Sequence, residues 1–289
     1  MKKHTFTGHM LVKNEANWIY YSIKSVIDFV DKMIIFDTGS VDDTQKIIEY
    51  FANDERYKEK IVYEEKGPVT KENLHLLRQE MIDMTDTDYF FVVDGDEIWY
   101  PDVLDYIRNL LDKAEPEIDL LWTKDIYLGG DIYHYRDEKR EMYHVVCSDG
   151  VDMYGPYTIR FYSMKIPGIN CSGDYGVEGF FDKDGVAVQD GPWNIVLGDG
   201  VYLHTSYLPR AGVNGGDKMI EYRAKKGRVF DHRFALDFIF PPSLYERPVG
   251  ITVYDPWKHR VTAYDYIVNY MLKIRHALGM ILRTLGLRK

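Results

Sequence analysis

The stretch Tyr89-Phe-Phe-Val-Val-Asp-Gly-Asp-Glu-Ile-Trp99 restricts the fold more than any other part of this 289-residue chain. Five apolar residues run straight into Asp94, Gly95, Asp96 and Glu97. A continuous apolar run this short reads as a strand buried on both faces, as in a parallel sheet. Three carboxylates at its exit are costly to bury unless a cation sits among them. Ligands of open α/β sheets bind at the carboxyl ends of the strands. Two acids flanking a glycine at that place point to a divalent metal, with Gly95 letting a ligand approach the backbone. The competing reading is a strand end followed by a solvated acidic turn.

Hydrophobic spacing extends the pattern. A strand from Phe6 to Val12 leads through Lys13-Asn14-Glu15 into a helix whose Ile19, Ile23, Val26, Ile27 and Val30 share one face. A second strand, Met33 to Phe36, ends at Asp37-Thr38-Gly39-Ser40, and Asp42 or Asp43 caps a helix carrying Ile47, Ile48 and Phe51. This alternation is a βαβ pattern and predicts a parallel sheet. A strand from Ile61 to Glu64, a helix from Lys71 to Met84 with Leu74, Leu77 and Met81 inward, and the Tyr89 strand continue it. Pro101 opens a helix reaching Leu111, and Ile118 to Trp122 is a strand. From Tyr127 to His204, Tyr, Gly, Asp and His dominate, with short strands such as Thr158 to Tyr162 and Val201 to His204. A helix is expected from Val213 to Lys226. The expected fold class is α/β: a mostly parallel central sheet flanked by helices over 1–239, with halves 1–124 and 125–239, the second mixed or antiparallel. A Pro-rich linker over 240–257 and a basic amphipathic helix over 258–289 follow.

The net charge of −10 argues against a nucleic-acid partner. From Lys258 onward seven Lys and Arg face one acid, Asp265, so this segment carries +6 and the rest of the chain −16. Ile267, Met271, Ile274, Leu278, Ile281 and Leu285 share a stripe of the final helix, with Lys273, His276 and Arg283 off it. Three occupants stay open for that stripe: an anionic membrane surface, the chain's own domain, or a second subunit in a homodimer. Cys147 and Cys171 have no metal spacing. There is no apolar signal region at the start and no run of 18 apolar residues. The expected location is cytoplasmic, with peripheral attachment at the inner face of the membrane if the helix binds lipid. The 24 tyrosines suit sugar binding or core packing equally.

Three successive strands thus end in polar clusters: Asn14 and Glu15, then Asp37, then Asp94 and Asp96. In a parallel sheet these ends lie side by side. One carboxylate can accept from a base N–H or a ribose hydroxyl, while another holds a metal on a diphosphate. Here the chain resembles glycosyltransferase family 2, enzymes of the GT-A fold that use nucleotide sugars. The resemblance covers Met10 to Pro101 and rests on Met10-Leu-Val-Lys-Asn-Glu15, Ile34-Ile-Phe-Asp-Thr-Gly-Ser-Val-Asp-Asp-Thr44, Arg78, and Val93-Asp-Gly-Asp-Glu97. Gln79 departs from the Asn that many members carry after the arginine.

The resemblance implies that Val12, Asn14 and Glu15 line the nucleoside pocket, Asp37 bonds the base, and Arg78 contacts the nucleotide. Asp94 would lie near ribose and metal, with Gly95 between the acids. Asp96 would bind Mn²⁺ or Mg²⁺, and His204 would be a further ligand. The donor would be a nucleotide sugar, a UDP-sugar first among them, and the acceptor a glycan or lipid-linked saccharide. Inversion by direct displacement needs a carboxylate base and a Lewis acid for the leaving diphosphate. In Ser172-Gly-Asp-Tyr-Gly-Val-Glu-Gly179, Glu178 is the first choice for base and Asp174 the second; valine replaces the histidine that relatives often carry before the glutamate. The loop is otherwise a polar, glycine-rich turn. Lys218, Arg223, Lys225 and Lys226 would reach the diphosphate or form a solvated face, and Trp122, Tyr127, Tyr175 and Trp193 would stack on sugars or fill the core. A nucleotidyltransferase would need a Gly-rich phosphate loop after the first strand, which Lys13-Asn14-Glu15 is not. A non-catalytic glycan-binding relative would have no use for intact Asp94, Asp96 and His204.

Overall fold

Alternating side chains build the sheet outward from its first strand. The computed structural model describes residues 3–137, 143–146, 152–174, 178–210 and 229–284. The opening half runs β1 (Phe6–Val12), α1 (Ile19–Val26), β2 (Lys32–Asp37), α2 (Thr44–Ala52), β3 (Ile61–Glu65), α3 (Leu74–Asp83) and β4 (Tyr89–Val92). β3, β2, β1 and β4 lie in that order and are all parallel. On β4, Tyr89 and Phe91 enter one core while Phe90 and Val92 enter the other. Both faces are covered, which is why the strand tolerates an unbroken apolar run.

Beyond it come β5 (Glu97–Ile98), α4 (Pro101–Lys113), β6 (Leu120–Gly129), β7 (Asp131–Tyr135), a hairpin of β8 (Tyr143–Val146) and β9 (Asp152–Gly155), and β10 (Tyr157–Ser163). A second hairpin, β11 (Asn170–Ser172) with β12 (Gly179–Phe181), precedes β13 (Ile195–Tyr207), β14 (His232–Arg233) and the C-terminal α5 (Ala263–Thr284). β10 inserts antiparallel between β4 and β6, and its rings continue the stacking: Phe91 lies 4.2 Å from Phe161, and Phe90 lies 4.8 Å from Tyr162. β13 pairs parallel with β6 and antiparallel with β5. The α/β class and the mixed character after the first half are as expected.

Several local readings change. The strand expected at Ile118 to Trp122 runs on to Gly129, because pairing with β10 and β13 keeps Thr123, Lys124 and Asp125 extended. It crosses position 124 without a break, so the two halves share one sheet. A 3₁₀ turn, Lys71–Asn73, starts the third helix, whose Met81 is buried while Leu74 and Leu77 are half-buried. At α2 the bonding side chain is Asp42, whose Oδ1 accepts from Thr44 N at 3.0 Å. The stretch 240–257, expected as a linker, is strapped to the core: Phe240 and Leu244 are buried, Tyr21 Oη donates to Tyr254 O, and Trp257 Nε1 donates to Leu244 O. Phe240, Leu244, Tyr254 and Trp257, interspersed with and flanking the prolines, supply the apolar area that holds it. The helix expected from Val213 to Lys226, with its four basic residues, lies outside the described residues.

His9 on β1 carries a testable cost. It is buried, lies flat on Phe90 at 4.8 Å, and bonds Thr85 Oγ1 through Nε2 at 2.7 Å. Thr85 Oγ1 donates to Met81 O, so Nε2 is the donor in the bond to Oγ1. Burial, with Arg78 and Lys32 adding to it, lowers its pKa from 6.5 to about 3. The unfolded chain therefore binds a proton below pH 6.5 that the folded chain refuses until about pH 3, so stability falls as pH drops through that window. Between pH 7 and 5 the wild type should lose about 2 kcal/mol more than His9→Gln in urea unfolding. Equal slopes would mean that His9 protonates in the folded state.

Candidate active site

The polar strand ends meet as the sheet requires. Val12 pairs with Asp37 and His9 with Val92, so Asp37 and Asp94 leave the sheet at nearly one level on either side of β1. Two strand spacings separate them, about 10 Å. Around this edge the residues form three groups.

The first is a loop network. Asp37 Oδ1 accepts from Gly39 N (2.8 Å) and Ser40 N (2.7 Å), and Asn14, at φ 55°, accepts from Val41 N and donates its own N–H to Ser40 Oγ. Gly39 sits at φ +88°, where a Cβ would meet Pro68 N at 2.9 Å, so only glycine fits. Asn14 thereby ties two loops together. Asp37 Oδ2 is buried without a hydrogen-bond partner among the described residues. A buried acceptor left open in this way needs an explanation such as a ligand.

The second group is a buried charge cluster. Asp96 Oδ2 accepts from Ser206 Oγ at 2.9 Å and pairs with Arg210, whose other Nη pairs with Glu15. Arg210 is placed by its neighbour: Asn17 Nδ2 and Trp18 Nε1 both donate to Pro209 O, at 2.8 and 3.0 Å. His204 Nε2 lies 3.4 Å from Asp96 Oδ1 and 2.8 Å from Ser206 Oγ, its Nδ1 lies 3.5 Å from Asp125 Oδ2, and its ring stacks on Tyr127 at 4.7 Å. Burial opposes charge on His204, but Asp96 and Asp125 outweigh it and push the pKa up to about 10. Gly95 makes room within the protein itself. A Cβ there would lie 3.0 Å from Val12 Cγ1 and 3.1 Å from Glu15 Cγ, so the glycine and Val12 let the acidic loop pack onto β1.

The third group lines a cavity of about 620 Å³, with Arg78, Asp94, Arg160 and Glu178 among its polar walls and Trp122, Tyr127 and Phe180 among its aromatic ones. Arg78 stands between the two acids, 3.7 Å from Asp94 Oδ1 and 3.9 Å from Glu178 Oε1. Arg160 Nη2 reaches Asp94 Oδ2 at 3.3 Å and also pairs with the buried Glu97. Burial works against the Asp94 charge, but Arg160 and Arg78 hold its carboxyl below the usual carboxylate range. Gln79 Oε1 accepts from Cys171 N at 2.9 Å, which anchors the hairpin carrying Glu178 to α3 beside Arg78. Asp174 is exposed on that hairpin and is not among the residues lining the cavity. Tyr175 lies outside the described residues, and Trp193 packs against the smaller core.

A family model, glycosyl transferase family 2, matches residues 9–178, more than half of the chain. The chain belongs to that family. A search of curated proteins gave no match. Among solved structures, S. aureus TarS 1–349 is 16% identical with a TM-score of 0.43, over 70% of this chain and 60% of that one. Glucosyl-3-phosphoglycerate synthase from Mycobacterium tuberculosis, in complex with Mn²⁺ and UDP-glucose, is 22% identical with a TM-score of 0.31, over 44% of this chain and 45% of its own. The mannosyltransferase PcManGT from Pyrobaculum calidifontis, in complex with GDP-Man and Mn²⁺, is 15% identical with a TM-score of 0.34, over 43% and 36%. The chain thus spans 60% or less of the length of each.

Metal fit in this member of the family is a question of donors. Among the described residues no three His, Cys, Asp or Glu side chains group closely enough to hold an ion as they stand. Two acceptor atoms of the charge cluster do lie close together. Asp96 Oδ1 and His204 Nε2 face each other at 3.4 Å, and the imidazole, whose charged form Asp96 and Asp125 favour, must give up its proton before Nε2 can take a metal. Carboxylate and imidazole together suit Mn²⁺. Arg210 supplies the positive charge that Glu15 and Asp96 require in this arrangement.

Sequence reading missed Arg160, Arg210, Asp125 and Ser206. Arg160 did leave a signal, since an arginine inside the apolar strand Thr158-Ile-Arg-Phe-Tyr162 has to find buried acids. Arg210 left none, because its partners are 195 and 114 residues away.

Proposed function

We propose that the chain is an inverting glycosyltransferase that moves a sugar from a nucleotide diphosphate donor to a hydroxyl of a glycan or lipid-linked acceptor. The observation that carries this reading is Arg78 standing between Asp94 and Glu178 over one cavity. The cavity is large enough for a sugar and an acceptor hydroxyl together, and Trp122 and Tyr127 offer it aromatic faces.

In the proposed reaction Glu178 takes the proton from the acceptor hydroxyl as that oxygen attacks the sugar's anomeric carbon. The bond from that carbon to the diphosphate oxygen breaks on the opposite side, and the configuration inverts. Arg78 holds Glu178 in place and offers positive charge to the departing diphosphate. Asp94, kept ionised by Arg160 and Arg78, accepts from donor hydroxyls, and the open oxygen of Asp37 accepts from the base. A divalent ion held by Asp96, His204 and Asp94 would add Lewis-acid stabilisation of the leaving group. Asp174, exposed and off the cavity, is the weaker base.

A UDP-sugar is the first donor to try. In a thermal-shift panel of nucleotide sugars with Mn²⁺ or Mg²⁺, a donor present at about 100 times its Kd should stabilise the fold by about 2.7 kcal/mol. Metal-dependent hydrolysis of the same donor should accompany it. If no nucleotide sugar raises Tm and none is hydrolysed with either metal, the reading fails.

A further inference from the structure

α5 is fastened to the body by its polar side. Asn269 is buried, donates from Nδ2 to Phe230 O at 2.8 Å and accepts from Phe230 N at 3.3 Å. Lys273 Nζ lies 2.8 Å from Asp231 Oδ1, and Tyr266 Oη bonds His134 Nε2 at 2.9 Å. Thr262 and Asp265 exchange hydrogen bonds at the helix start, which fixes its first turn.

The apolar side faces solvent. Ile267 is 59% exposed, Met271 63%, Ile274 43% and Leu278 54%, with Tyr264 and Tyr270 at 68% each on the flanks. At about 100° per residue the four aliphatic side chains fall within roughly 60° of arc, and Asn269 lies about 160° from Ile267. A helix packed only onto its own domain buries its apolar stripe; this one does the reverse. Of the other exposed large apolar side chains among the described residues, Val41, Leu76, Tyr106 and Val186 lie far apart in the chain, and Leu236 and Ile239 share the stretch after β14. A contiguous patch of this kind marks an interaction surface.

Charge selects the occupant. We propose that α5 lies flat on an anionic lipid surface, with Ile267, Met271, Ile274 and Leu278 in the acyl boundary. Lys258, His259 and Arg260 are exposed just ahead of the helix, and Arg275 is exposed beside the stripe. The segment from Lys258 carries +6 and the remainder −16, so an anionic surface attracts this segment, repels the body and orients the chain with α5 down. A second copy of this segment would set +6 against +6. The two flanking tyrosines suit the headgroup level. Among the described residues no helix is long and apolar enough to cross a membrane, so the contact is in-plane. The inference stands on α5 alone and does not depend on the transferase reading.

Co-sedimentation of the full chain with phosphatidylcholine vesicles, with and without about one-third phosphatidylglycerol, tests it. Binding should be ~10-fold or more tighter with the anionic lipid and should weaken at high salt. Ile267→Ser/Met271→Ser/Leu278→Ser should cut that binding ~10-fold or more with Tm unchanged, since all three side chains are exposed. Absence of binding, equal binding to both vesicles, or an undiminished triple variant overturns the proposal. A fall in Tm of the triple variant would make the stripe part of the fold and overturn it as well. So would a wild-type dimer in light scattering that the same substitutions dissociate, which would give the stripe to a second copy.

Discussion

Glu178→Gln is expected to lower kcat by about 10²–10⁴ while leaving donor affinity near wild type. The amide keeps the shape and hydrogen-bonding reach of the carboxylate but cannot take a proton from the acceptor. Glu178 directly precedes β12, whose Gly179 pairs with Ser172, and the Gln79–Cys171 bond holds that hairpin against α3. Its backbone is thus fixed independently of its charge, so the substitution should leave the cavity walls in place. Two readouts separate a base from a positioning residue. A base lost to amide removes the acidic limb of the kcat profile with pH, because no group remains to be deprotonated there. A residue acting only through Arg78, 3.9 Å away, would instead raise KM for the donor and leave the limb. Asp174→Asn, exposed and outside the cavity lining, should change kcat less than about 10-fold. Retained kcat in Glu178→Gln with a deep loss in Asp174→Asn would exchange the two roles.

The first half of the fold could be read because its signals are local. Apolar runs at Phe6, Met33 and Tyr89 mark strands buried on both faces, and each ends in polar residues that the parallel sheet must bring to one edge. The pairing of Val12 with Asp37 and of His9 with Val92 follows from that topology. Partners carried in from distant strands were not readable. Arg210 reaches Glu15 and Asp96 only because β13 returns beside β5, and Asp125 meets His204 only because β13 also runs along β6. The space a Cβ on Gly95 would need is taken by Val12 and Glu15, a packing fact that no spacing displays. The strap at 240–257 misled for the converse reason. Its prolines suggested a tether, while Phe240, Leu244 and Trp257 between them carried the information that mattered.

Asp96→Asn should abolish the metal-dependent part of nucleotide binding and lower turnover by ~10²-fold or more, since Lewis-acid assistance to a leaving diphosphate contributes roughly several kcal/mol. The same carboxylate also balances Arg210. Removing one partner of a buried ion pair costs about 3–5 kcal/mol, so a lower Tm is expected and by itself says nothing about metal. The decisive quantity is the further rise in Tm when Mn²⁺ joins a saturating nucleotide, taken against each variant's own baseline. Wild type should show that increment and Asp96→Asn should not. Arg210→Gln supplies the opposite control: it leaves Glu15 and Asp96 without their guanidinium, so it too should lower Tm, yet it should keep or enlarge the Mn²⁺ increment because the freed carboxylates attract the ion. If both variants lose stability and both keep the increment, the Asp96 charge serves Arg210 alone and the metal is held elsewhere. If both lose the increment, the cluster of Glu15, Asp96 and Arg210 acts as a structural clamp whose integrity the nucleotide pocket needs.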